Sequence, residues 1–156
     1  MKKLIYAVAV ALVALSTAAC SDKGKQYDKR DGDRKEVYTG VLPAADASGI
    51  RYTLALDYDD DNGYTDGVYK LVQTYLVSDS VARLKYRDSV SFKDKGDFTV
   101  TAQNGRKVIK LTPSPKSKQG EIRYFLVDND STITLTTASL EAPVDTMLNY
   151  SLKLVK

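Results

Sequence analysis

From Glu36 onward, apolar and polar side chains alternate with a period of two, the spacing that sets every second residue on one face of an extended strand. Ile50, Tyr52, Leu54 and Leu56 alternate with Arg51, Thr53 and Ala55. Leu84, Tyr86, Val90 and Phe92 stand against Arg83, Lys85, Arg87, Ser89 and Ser91, and Leu148, Tyr150, Leu152 and Leu154 against Asn149, Ser151 and Lys153. Shorter or less regular alternation predicts further strands at Val37 to Leu42, Val68 to Val77, Phe98 to Ala102, Lys107 to Leu111, Ile122 to Val127 and Ile133 to Thr137. The breaks are turn formers: Asp59-Asp60-Asp61-Asn62-Gly63, Asp94-Lys95-Gly96-Asp97, Gln103-Asn104-Gly105, Pro113-Ser114-Pro115 and Asp128-Asn129-Asp130. About eight short antiparallel strands joined by hairpins, each with one apolar face, must stack or close on themselves, and closure also removes exposed edges. The expected fold is all-β, a small meandering barrel of lipocalin-like form over residues 36–156.

The first twenty residues follow a different plan. Lys2 and Lys3 precede an apolar run from Leu4 to Leu15, and Ser16-Thr17-Ala18-Ala19 leads to Cys20. The run is a signal-peptide core, shorter than the roughly 20 apolar residues that span a bilayer. The segment resembles a lipobox, in which small residues precede the cysteine that receives diacylglycerol, although Thr17 stands where Leu is usual. Residues 1–19 are therefore read as a signal peptide, Cys20 as the acylated anchor, and residues 20–35 as a polar tether with a reach of about 20 Å. Ser21 after the cysteine fits the outer membrane, and the sequence leaves open whether the domain faces the periplasm or the cell surface.

Composition narrows the chemistry. There is no histidine, and Cys20 is the sole cysteine. General acid or base catalysis by histidine, nucleophilic catalysis by a cysteine of the domain, and soft-metal sites of thiolate and imidazole are thus excluded. Loss of Lys2 and Lys3 with the signal leaves 21 basic against 20 acidic side chains, a balance with no electrostatic footprint for nucleic acid. No catalytic residue, cofactor or metal is expected.

Gly40-Val41-Leu42-Pro43-Ala44-Ala45-Asp46-Ala47-Ser48-Gly49-Ile50 resembles the opening of the NlpE N-terminal domain family, whose pattern reads G-x-L-P-C-A-D-C-x-G-I. The resemblance extends over residues 36 to 155. It implies an outer-membrane lipoprotein with a lipocalin-like barrel, related to proteins of copper tolerance, surface adhesion and envelope-stress signalling. Both family cysteines are replaced here, by Ala44 and Ala47, so copper or redox sensing through that motif is lost. A signalling role that needs the second domain of longer members is not expected of a chain ending at Lys156. The block reads as a structural loop in which Pro43 fixes φ, Asp46 caps a backbone donor and Gly49 supplies a permissive conformation.

Other constellations have plainer readings. Asp57 to Asp61 could gather carboxylates for weak calcium binding, but Gly63 and Val68 miss the EF-hand positions, and a solvated hairpin loop accounts for the run. Tyr52, Tyr86 and Tyr150 lie on apolar strand faces and are expected in the core, or around an amphipathic pocket if the barrel has an open mouth. The basic face Arg83-Lys85-Arg87 reads as an ordinary charged outer face. The function expected is a non-catalytic envelope module held at the membrane by acyl chains and binding an envelope protein. The alternative is a carrier of a small amphipathic ligand. Metabolic labelling tests the anchor: palmitate should enter the wild-type chain and not Cys20→Ala, and label retained by the variant would refute lipidation at Cys20.

Overall fold

A computed structural model describes residues 34–61, 63–78, 86–117, 120–141, 145 and 147–156. The segment read as a signal peptide, Cys20, the basic residues Arg83 and Lys85, and the side chains of Tyr86 and Arg87 lie outside what is described. The described elements are all β-strands: β1 (Lys35–Leu42), β2 (Gly49–Tyr58), β3 (Asp66–Ser78), β4 (Tyr86–Gln103), β5 (Arg106–Pro113), β6 (Arg123–Asn129), β7 (Thr132–Thr136) and β8 (Ser151–Leu154). Each pairs antiparallel with the next, and β8 returns to β1, so the sheet closes in sequence order as an eight-stranded barrel. The meander expected from the alternation is the fold observed.

Several boundaries differ from expectation: β1 already starts at Lys35, in the expected tether, β8 starts only at Ser151, so that Leu148 and Tyr150 precede it, and one expected turn is absent. Asp94-Lys95-Gly96-Asp97, taken as a turn, lies inside β4, which runs unbroken for 18 residues where two strands were predicted. Register explains it, because this stretch pairs residue by residue with β3 from Lys70↔Lys95 to Val68↔Asp97. At Gly96 the backbone of Thr112 to Ser114 comes so close that any Cβ would collide with it. This glycine therefore marks close strand approach, and long-range pairing overrides the local turn chemistry. The Asn104-Gly105 hairpin, by contrast, is as its dipeptide predicts, both residues having positive φ (53° and 76°).

Every strand sends side chains to one continuous core. β2 contributes Tyr52, Leu54, Leu56 and Tyr58; β3 contributes Tyr69 and Leu71; Phe98, Ile109, Leu111, Phe125, Ile133 and Leu152 come from the rest of the wall. Leu54, Leu71, Leu111, Phe125, Ile133 and Leu152 have no exposed surface. An eight-stranded barrel is just narrow enough for side chains to fill it, and the described inward side chains pack as one cluster.

The connections sort into two ends. At one end lie the residues between β2 and β3 and the short Asn104-Gly105 and Asp130-Ser131 turns, together with both flanks of the barrel: the Val37 amide donates to the Lys156 carbonyl at 2.8 Å. The connections after β1, β3, β5 and β7 leave from the opposite end, called here the mouth. The seam is short, since β1 and β8 pair in register only at Tyr38↔Leu154 and Thr39↔Lys153. Truncating a core side chain with no room to collapse should be costly: Leu71→Ala is expected to lower unfolding free energy by about 2–5 kcal/mol in urea titration.

Candidate functional site

Two charged clusters are built into the inner face of the wall. The first closes the end where the chain enters β1. Glu36 and Tyr38, two apart on β1, share the inner face, and β2 brings Tyr58 beside them. Both phenols donate to Glu36 Oε2, Tyr38 at 2.9 Å and Tyr58 at 2.8 Å. Arg34 donates through Nε and Nη2 to Glu36 Oε1, and its guanidinium sits 5.1 Å from the centre of the Tyr58 ring. The Tyr58 ring also meets Phe98 edge-on, with centroids 4.9 Å apart, which ties the cluster to the core. A recess of about 110 Å³ beside these groups, reaching Tyr64 and Asn129, has room for a few waters but not for a drug-sized ligand.

The second cluster lies toward the mouth. Asp94 is buried, and its Oδ2 accepts from Tyr69 at 2.9 Å while its Oδ1 accepts from Ser117 Oγ at 2.6 Å and its neighbour's amide, Lys95 N, at 2.8 Å. Arg123 of β6 reaches the same carboxylate across the open part of the wall, Nη1 lying 3.5 Å from Oδ2. The Arg123 charge also acts on the Tyr52 phenol, favouring its ionised form against burial. Among the described residues no buried side-chain nitrogen or oxygen lacks a partner.

These surroundings hold the phenols protonated. Tyr38, Tyr58 and Tyr69 are pushed well above the usual phenol value, first by burial and then by their bonds to Glu36 or Asp94. Tyr52 is raised as well, with burial dominant and Arg123 opposing it. Each carboxylate is hydrogen-bonded by phenols and faces a guanidinium.

The residues singled out in the sequence fall in several places. Tyr52 is in the core and beside Arg123, whereas Tyr150 is half-buried just before β8; no hydrogen bond or ring contact joins the two. The motif loop connects β1 to β2 at the mouth. Pro43, Ala44 and Ala47 are partly covered and the Asp46 side chain is exposed. Gly49 is buried with φ of 148°, and a Cβ there would stand 2.7 Å from Val41 Cγ1, so glycine is required twice over. The Ser48 amide donates to the Leu76 carbonyl at 3.0 Å and pins the loop to β3. In the acidic loop, ligand oxygens of Asp59, Asp60 and Asp61 lie within 4.8 Å of one another, and Asp59 Oδ1 accepts from the Asp61 amide at 3.1 Å, the geometry of a turn that holds itself together. Glu36, Asp94 and Arg123 were missed in the sequence. The signal was present for two of them, since Glu36 and Arg123 are in phase with Tyr38 and Phe125, whereas Asp94 sits in what the local sequence presents as a turn.

The geometry defines a filled, antiparallel β-barrel domain finished toward both ends by buried carboxylates with tyrosine partners. Residues 38–142 match the family described as NlpE N-terminal domain, and the chain belongs to that family. No curated protein and no solved structure matches it. Membership supports a role of the envelope-lipoprotein type.

Two outcomes follow from the clusters. Removing Asp94 would strand the Arg123 guanidinium and the Tyr69 and Ser117 hydroxyls inside the wall, so Asp94→Ala should cost about 3–5 kcal/mol by chemical denaturation, and Asp94→Asn less. The raised phenols fix the alkaline limb of stability. A folded pKa above the unfolded value of about 10 gives stabilisation that is complete below pH 10 and declines as pH climbs through 10 toward the folded values. Absorbance at 295 nm should therefore titrate exposed tyrosines first, with Tyr38, Tyr58 and Tyr69 ionising only as the barrel unfolds; Tyr58→Phe should remove one of the late phenols.

Proposed function

We propose that the chain is a non-catalytic lipoprotein of the outer membrane, anchored through Cys20, whose barrel serves as a binding module presenting its mouth to an envelope protein. The observation that carries this reading is the disposition of the charged groups. Among the described residues, Glu36, Asp94 and Arg123 carry charge on the inner wall, and each is engaged by tyrosines or by an ion pair. Groups held in this way stiffen a scaffold rather than turn over a substrate. Family membership supports the envelope setting. The change of both motif cysteines to Ala44 and Ala47 leaves the β1–β2 loop without thiol chemistry, and its exposed Ala45, Asp46 and Ser48 suit contact with a partner.

The direction of the module follows from topology. The chain enters β1 at the end opposite the mouth, so in this reading the β1–β2 loop lies at the end of the barrel remote from the chain's entry. A lipocalin-like carrier would hold its ligand in the lumen, where Leu54, Leu71, Phe98 and Phe125 pack together as part of the core.

Site-specific photo-crosslinking in cells tests the orientation. A crosslinker at Ala45 in the mouth loop should capture a discrete envelope protein, and one at Asn104 in the opposite turn should not. Capture from Asn104 alone, or from neither position, would count against a mouth-directed interaction module.

A further inference from the structure

β4 loses its neighbour on one side well before it ends. β5 pairs with β4 only from Gly96 to Gln103, while β3 stays paired with it back to Tyr86. The last bond across this side runs from the Ser114 amide to the Lys95 carbonyl at 2.9 Å, so Lys95 turns its carbonyl toward the β5 side. Successive residues of an antiparallel strand direct their backbone groups to opposite neighbours, so Lys93 and Ser91 turn N–H and C=O the same way as Lys95. The Lys95 amide is taken by Asp94 Oδ1 at 2.8 Å. Ser91 and Lys93 are exposed, and among the described residues no backbone bond reaches them on this side.

The chain after β5 is built to leave this edge open. Pro113 and Pro115 flank Ser114 and stop the strand, and a turn closed by the Ser117 amide on the Ser114 carbonyl, at 2.8 Å, carries the connection away. By Gly120 it has folded back on Pro113, so near that a Cβ on the glycine would stand 2.3 Å from the proline Cβ. Arg123 and Ser117 both reach Asp94, so side chains bridge the wall where it lacks a strand. Beside the edge lies a cleft of about 850 Å³ whose lining includes Ser91 and Lys93 of β4 and Lys116 and Ser117 of the connection. From Ser91 to Lys95 an extended chain covers about 13 Å, the length of one short added strand. Lys95 has Asp97 two places along on its own face, whereas Lys93 and Lys116 make no ion pair with a described residue.

We propose that the open edge of β4 takes an extended, acidic segment of another protein as an added strand, its backbone bonded to Ser91 and Lys93 and an acidic side chain between Lys93 and Lys116. An unpaired edge is a template for such pairing, in which main-chain bonds supply affinity and side chains supply selectivity. The lysines decide the partner. A second copy joined edge to edge about a two-fold axis would bring both lysine rows onto one face, and like charges across a sheet are destabilising. An acidic strand meets the opposite sign instead. The inference rests on the reading of the domain as a binding module and names a mode for it. Crosslinking at Ala45 reads the mouth and strand addition reads the side wall, so the two can fail separately.

The test is amide hydrogen exchange by NMR on the full chain carrying Cys20→Ser, titrated with the capped peptide Thr-Val-Glu-Val-Glu-Val-Thr. In the free chain the Ser91 and Lys93 amides should exchange fast. Saturation with peptide should slow both by about tenfold or more, the protection a backbone bond confers. Lys93→Gln/Lys116→Gln should weaken binding by about tenfold, the loss of a charge-assisted contact. Lys93→Pro removes an edge donor that β3 does not use, so it should keep the fold and lose the peptide, beyond the loss seen in Lys93→Gln. The same peptide N-methylated at its central residues makes that test from the ligand's side, whether or not the proline variant folds, and should not bind. Absence of saturable binding would overturn the proposal, as would binding of the N-methylated peptide as tightly as its parent or saturation that leaves the Lys93 amide unprotected. Equal affinity for Thr-Val-Lys-Val-Lys-Val-Thr would show that charge is not read and overturn the acidic partner. Self-association of the free chain that Lys93→Pro abolishes would assign the edge to a second copy instead.

Discussion

A phenol can be buried in a barrel only where its hydroxyl finds an acceptor, and this domain meets that requirement with carboxylates turned inward. Tyr38 and Tyr58 share Glu36, and Tyr69 uses Asp94. The arrangement lets tyrosines pack into the core with no buried side-chain polar atom unpaired among the described residues. It also fixes where the barrel stops. Leucine and phenylalanine occupy the middle, and each polar cluster marks a boundary beyond which solvent or a loop takes over. The two clusters have different makings, because Arg34 caps the first from the chain's approach to β1 while Arg123 reaches the second across the wall.

Much of this fold was legible as alternation. The inward positions of β2 are the apolar residues read from the sequence, and the closed meander follows from their number and from the hairpin turns between them. β4 was less legible, since Asp94, Lys95, Gly96 and Asp97 have the local chemistry of a turn and only pairing with β3 on one side and β5 on the other keeps them extended. The clusters were illegible for a related reason: a charged residue in phase with the core is read as a break in the pattern until its partners from other strands are known. Arg34 and Lys35 belong to the same class. They look like tether in composition, yet Lys35 pairs with Asp57 at 3.1 Å and Arg34 covers Glu36.

The family motif gains a physical meaning from the β1–β2 loop. Gly49 is demanded by its φ and by Val41, and the bond from Ser48 to Leu76 sets the loop against β3. Those constraints concern backbone shape and do not involve the positions held by Ala44 and Ala47. A loop of this kind can therefore keep its form whichever small residues stand at positions 44 and 47.

The placement of both flanks at one end of the barrel has a mechanical side. A pull applied through the residues before Arg34 and resisted at the mouth loops runs along β1, whose eight register pairs with β2 then carry the load together. Strands loaded in this shear geometry must lose many hydrogen bonds at once, whereas strands peeled from one end lose them singly. The two-pair seam with β8 lies parallel to the same line of force. A domain held at its base and gripped at its far end is thus strung along its most resistant direction.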